Sequence, residues 1–200
     1  MSTRQILFTP ILALCLAMVL GCASNSAEPS AASSAPASDK STYNKGEVSS
    51  AMADYFGVTA EAAGSAIERV FREFGRPNGY IYGSEGSLAI GIGLRYGKGT
   101  MQMASGSLTK VWWQGPSIGW DVGANGSKVF TLVYNLQDPE QIFQRFPGVE
   151  GSAYLVAGMG VNYQRSNTIT LAPIRTGVGV RLGANIGYLA YSKKRRLIPL

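Results

Sequence analysis

The chain has 200 residues, 18 Lys and Arg against 12 Asp and Glu for a net charge of +6, and no histidine. Without histidine there is no Ser-His-Asp or Cys-His nucleophile and no His-ligated metal site, which removes most hydrolases and metalloenzymes at once. Its two cysteines, Cys15 and Cys22, both lie near the N-terminus, so the rest of the chain must fold without a disulfide.

Arg4 precedes an apolar run from Ile6 to Leu20 that ends in Val19-Leu20-Gly21-Cys22. At 15 residues this run is shorter than the roughly 20 a membrane-spanning helix requires, and small residues before a cysteine fit a lipoprotein signal. The expected organisation is a signal peptide over 1–21, lipid on Cys22, and a membrane anchor made through that lipid. An ordinary signal peptide cut elsewhere is the alternative, because Leu20 is bulky for its position. Ala23 after the cysteine, rather than an acidic residue, favours the outer membrane as the site of anchorage in a Gram-negative envelope. Residues 22–44 are rich in Ala, Ser and Pro with almost no large apolar side chain, and such a segment cannot offset its ordering entropy by burial. It reads as a flexible tether of roughly 25 Å. The remaining residues, 45–200, are enough for one domain.

That domain opens with helices. Val48, Ala51, Met52 and Tyr55 recur at helical spacing behind an Asn44/Glu47 cap pair, and Gly57 ends the run. A second helix is predicted from Thr59 as cap, with Ala63, Ile67, Val70, Phe71 and Phe74 on one face and mixed charges on the other. From Tyr80 the period changes to 2. Leu88, Ile90, Ile92, Leu94 and Tyr96 alternate with smaller or polar residues, as do Ile118, Trp120 and Val122, and then Phe130, Leu132, Tyr134 and Leu136. Gly97-Lys98-Gly99 reads as a hairpin turn, Leu155 to Tyr163 as one more strand, and 177–183 as another. Between them, Asp138-Pro139-Glu140-Gln141 reads as the start of a short helical crossover. The expected fold is mainly β: a small closed or nearly closed antiparallel barrel of about eight strands with the N-terminal helices packed on it.

No catalytic residues, metal site or cofactor are expected. A glycosidase needs two carboxylates flanking a cleft, and in the strand region only Glu85, Asp121, Asp138, Glu140 and Glu150 are acidic. The glycine-rich runs lack the helix and lysine of a phosphate loop.

Several segments resemble the envelope integrity protein A family: Phe56-Gly57-Val58-Thr59-Ala60-Glu61-Ala62-Ala63, Phe74-Gly75-Arg76-Pro77-Asn78, Trp113-Gln114-Gly115-Pro116-Ser117-Ile118-Gly119, the 127–135 strand, and Ala172-Pro173-Ile174-Arg175-Thr176-Gly177-Val178-Gly179. The likeness runs from about 45 to 195. It implies a periplasmic protein of small eight-stranded β-barrel fold that supports resistance to envelope stress, with no established enzymatic activity. Members of that family are secreted as soluble proteins, whereas Cys22 here points to anchorage. The order Gly-Pro-Ser-Ile-Gly-Trp-Asp-Val-Gly over 115–123, followed by the 129–133 strand, is similar to the lipid-binding SYLF domains and implies phosphoinositide-type lipids.

The function expected is thus that of a non-enzymatic, lipid-anchored envelope protein that binds a lipid, glycan or protein partner and no nucleic acid. Arg175, Arg181 and the tract Lys193, Lys194, Arg195 and Arg196 are the expected contacts to an anionic lipid or lipopolysaccharide. Arg175 and Arg181 share one face of an extended run, and paired guanidiniums suit phosphate or carboxylate. The competing reading pairs them with Glu85, Asp121 or Glu150 across strands, and leaves the C-terminal tract as a solvated tail. An integral outer-membrane barrel and an envelope glycan or lipid hydrolase are the alternatives of other classes.

Overall fold

The computed structural model describes residues 40–122, 126–176 and 187–196, with backbone alone at 87–92 and 117–122. The N-terminal 1–39, with Cys22, and the 177–186 segment, with Arg181, lie outside the described residues.

Helix α1 spans Lys45–Phe56 and begins on the cap pair read from sequence. The Asn44 side chain accepts the Glu47 N–H at 3.0 Å while the Glu47 carboxylate accepts the Asn44 N–H at 2.8 Å, so two otherwise orphaned donors are satisfied. Gly57 ends it in the left-handed region, φ 73°, where glycine carries no Cβ penalty. Helix α2, Ala60–Phe74, starts on Thr59 and buries Ala63, Ala66, Ile67 and Val70. Phe71 and Phe74 are half-buried at the edge of that face. Just ahead of α1, Tyr43 is already part of the core: its N–H donates to the Pro77 carbonyl at 2.9 Å and its hydroxyl to that of Met103 at 3.0 Å.

One glycine in α2 is not required by its surroundings. A methyl on Gly64 would meet only the Ser49 hydroxyl, at 3.6 Å, an ordinary contact. Alanine costs less backbone entropy in a helix, so Gly64→Ala should stabilise the domain by about 0.5–1 kcal/mol. A chemical-denaturation midpoint moved to lower denaturant would contradict that.

The described residues form nine strands: β1 Gly79–Met103, β2 Leu108–Val122, β3 Ser127–Tyr134, β4 Arg145–Pro147, β5 Tyr154–Val156, β6 Met159–Val161, β7 Gln164–Ser166, β8 Ile169–Thr176 and β9 Tyr188–Ser192. A 3₁₀ turn, Pro139–Ile142, capped by Asp138, links β3 to β4 and is the short crossover expected from the Asp-Pro pair. The order is β4-β9-β2-β1-β3-β8, with β6 and β7 both paired to β8 and β5 beyond β6; every pairing is antiparallel. A bridge between Gly148 and Gln164 brings the β4 end against β7, so the sheet is a nearly closed barrel.

Two readings of the strand region are corrected. Gly97-Lys98-Gly99 is not a turn: it lies inside β1, paired with Val111 to Trp113 of β2. The glycines are there for close approach. A methyl on Gly97 would overlap the Trp113 indole, and one on Gly99 would overlap the Tyr82 carbonyl. The run from Leu155 to Tyr163 is not one strand but the β5–β6 hairpin. Its chain reverses at Ala157 and Gly158, with φ 49° and 74°, which a continuous strand cannot accommodate.

β1 belongs to two layers. Residues 79–85 pair with β3, and residues 88–102 pair with β2. The ends of the strand face each other, with the Ala104 N–H donating to the Asn78 carbonyl at 2.9 Å. At Gly83 the inward face touches the backbone of Lys98 and Gly99. Between the layers lies an interior of Ile81, Met101, Val111, Val129, Val133, Phe146, Leu171 and Leu189. On the outer face of β1, β3 and β8, Tyr80, Phe130, Leu132 and Ile174 pack under α1 and α2. Both faces of this half of the barrel are therefore dry, which is why its strands read as bulky on alternate residues and apolar on many of the others.

Candidate functional site: a basic cleft at one end of the barrel

Period 2 carries the inward face of β1 from Ile81 through Gly83 to Glu85, and that of β8 from Leu171 through Pro173 to Arg175. Both strands reach the end of the barrel where β3 begins, since Glu85 is opposite Ser127 and Lys128 is opposite Thr176. Glu85, 6% exposed, and Arg175 thus meet in the interior.

The Arg175 Nε donates to Glu85 Oε1 at 2.5 Å, and its Nη1 donates to Asn162 Oδ1 at 2.5 Å. The Trp113 indole N–H donates to Glu85 Oε2 at 3.0 Å. Arg95 approaches Oε1 from a third side, its Nε 3.6 Å away. Burial pushes the Glu85 carboxyl up. The Arg175 and Arg95 guanidiniums, with the hydrogen bonds from Arg175 and Trp113, outweigh that and hold it below the ordinary glutamate value. Burial also raises the phenol of Tyr191 on β9, which stays neutral beside this cluster. A carboxylate with both oxygens occupied and a depressed pKa is built to remain an anion, not to exchange protons near neutrality.

Beside this cluster is a cleft of about 290 Å³, lined by Glu85 and Trp113 together with the aromatic Tyr96 and Trp112 and the basic Lys98, Arg195 and Arg196. Glu85 is the one acidic side chain among the described residues lining it. A wider depression of about 650 Å³ on the other side of the C-terminal segment is bordered by Arg145, Phe143, Lys193 and Lys194 and shares Arg196.

The structure brings some of the sequence-predicted residues together and separates others. Arg175 is inside the barrel, paired with Glu85, one of the three carboxylates considered for it. Lys193 is exposed and pairs with Glu140 at 2.5 Å, lying over the Phe143 ring. Lys194, Arg195 and Arg196 are exposed and carry no ion pair among the described residues. Sequence reasoning did not find the walls. Trp112 and Tyr96 carry no local mark of a site, and only the β1–β2 register, with Tyr96 opposite Gln114 and Lys98 opposite Trp112, puts them side by side.

The family model described as envelope integrity protein A matches residues 41–200 of this chain. A solved β-barrel-like protein from Brucella abortus is similar at 48% identity over 80% of this chain and 99% of that one, with a TM-score of 0.73. No curated protein matches the chain.

Proposed function

We propose, since this chain belongs to the envelope integrity protein A family, that it supports the cell envelope by binding and not by catalysis. In this reading it is a periplasmic protein held at the membrane, the outer one in a Gram-negative cell, by lipid on Cys22. Its basic barrel end meets anionic lipid or lipopolysaccharide. The observation that carries the reading is the placement of Lys194, Arg195 and Arg196: all are exposed, none is paired among the described residues, and two of the three stand at the rim of a cleft. A basic group near an anionic lipid surface contributes about 1 kcal/mol.

The alternatives fit less well. A membrane-spanning barrel turns an apolar outside to lipid around a polar interior, whereas here the interior is filled by an apolar cluster apart from the Glu85–Arg175 pair at one end, and the outer face of β1, β3 and β8 lies under helices. A glycan hydrolase would need a second carboxylate across the cleft from Glu85, and none lines it among the described residues.

Two measurements test the reading. A fatty-acid probe should label the wild type and not Cys22→Ser, and an unlabelled wild type would remove the anchor. Flotation should recover more of the protein with phosphatidylglycerol or lipopolysaccharide vesicles than with neutral ones, an excess over the lipid's own contribution that is lost at high salt. Replacing Lys194, Arg195 and Arg196 by Gln should reduce that preference for anionic vesicles by up to about a hundredfold. Equal recovery on neutral and anionic vesicles, unchanged in the triple variant, would point to a protein partner instead.

A further inference from the structure

We infer that the cleft walled by Tyr96 and Trp112 is a binding site for an acidic sugar, a pyranose carrying phosphate or carboxylate. The inference rests on the anionic-ligand reading above and gives it a ligand class. Three observations on the lining argue for it.

The first is composition. The described residues lining the cleft are aromatic, polar or charged side chains and glycines, with no aliphatic side chain among them. An acyl chain is recognised by Leu, Ile, Val and Met, and this protein uses those residues freely in both of its cores. Flat aromatic faces with polar edges suit a sugar ring, which presents C–H groups on its faces and hydroxyls around its rim. The second is size. About 290 Å³ is at the small end of ligand pockets, which run from about 300 to 1,000 Å³, and accommodates a ring or two but not a folded partner. The third is charge. The only carboxylate in the described lining is already held by Arg175 and Trp113, so it does not neutralise the rim. Lys98, Arg195 and Arg196 line the cleft and have no ion pair among the described residues. Two of these three are guanidiniums, whose planar fork matches phosphate and carboxylate oxygens.

Trp112 and the rim arginines divide the work. The indole buries the sugar face, and the arginines hold the acidic substituent. A neutral sugar then loses the charge contacts and inorganic phosphate loses the stacking, so each half alone binds weakly.

The test is calorimetric titration of the full chain in neutral detergent with glucose 1-phosphate, glucuronate, glucose and inorganic phosphate. Glucose 1-phosphate and glucuronate should bind at least about tenfold more tightly than glucose or phosphate. Trp112→Leu should remove the advantage over phosphate, and Arg195→Gln with Arg196→Gln should remove the advantage over glucose. Trp112 is half-buried and both arginines are exposed, and a melting temperature for each variant checks that the domain is intact. If glucose 1-phosphate binds no better than phosphate, or Trp112→Leu changes nothing, the sugar site is wrong. If phosphatidylglycerol vesicles are bound in preference to neutral ones while no sugar anion is, the ligand class falls and the anionic-surface reading stands. If anionic vesicles are not preferred over neutral ones and no sugar anion binds, both fall.

Discussion

Glu85→Gln should cost the domain about 3–5 kcal/mol at neutral pH, enough to leave a protein of ordinary stability close to unfolding. The substitution keeps the shape but strands the Arg175 guanidinium in the barrel interior, where its Nε has only the Glu85 carboxylate to donate to. The pH dependence gives the same interaction a sign. A carboxyl whose folded pKa is lowered contributes stability that is present above its ordinary value of 4.5 and is lost as pH falls through the folded value. Wild type should therefore lose stability on acidification below about pH 4.5, and Glu85→Gln should lose less, the two converging in strong acid. Replacing both partners by apolar residues of similar volume should recover part of the loss, because it removes the stranded charge. A Glu85→Gln variant within 1 kcal/mol of wild type at pH 7, measured by chemical denaturation, would show that the pair is not the anchor of this end of the barrel.

Gly83→Ala should be among the most damaging of the glycine substitutions, at or above the roughly 3 kcal/mol end of overpacking costs. The added methyl would fall on the carbonyl of Lys98 and the Cα of Gly99. Those are backbone atoms in a paired strand, and they cannot rotate away as a flexible side chain would. Gly99→Ala meets the Tyr82 carbonyl from the other side and should behave alike. Gly86→Ala, three residues on from Gly83 with nothing within 4 Å of the added methyl, should be nearly neutral. Equal denaturation midpoints for Gly83→Ala and Gly86→Ala would mean that the two legs of β1 do not touch.

The parts of this fold that sequence made legible are those whose signals are local. Asn44 with Glu47, Gly57 and Thr59 name the ends of the helices because a cap is made by residues three or four apart. Alternation from Tyr80 onward names strands for the same reason. Glycine is ambiguous: at 97 and 99 it admits an indole and a carbonyl, while at 158 it turns a hairpin, and both look alike along the chain. The site was legible only in its cations. Glu85 and Arg175 are 90 positions apart, and sequence offered Glu85 as one of three partners without the register that selects it. Trp112 and Tyr96 become walls only once β1 and β2 are aligned, and alignment of strands is a property of the whole sheet.

β9, residues 188–192, is near the end of the chain yet lies in the middle of its half of the sheet, between β2 and β4. Its contacts join Trp112 to Ser192 and Arg145 to Ala190, long loops to close before any of their energy is returned. An emerging chain can make the helices and the β1–β2 ribbon early, but among the described strands β2 and β4 each keep an open edge until β9 is made. Until then those edges are available to any neighbouring chain. The assembly of this half of the sheet thus waits on β9, and a chain cut before Tyr188 should be a substrate for chaperones and proteases rather than a weaker version of the same domain.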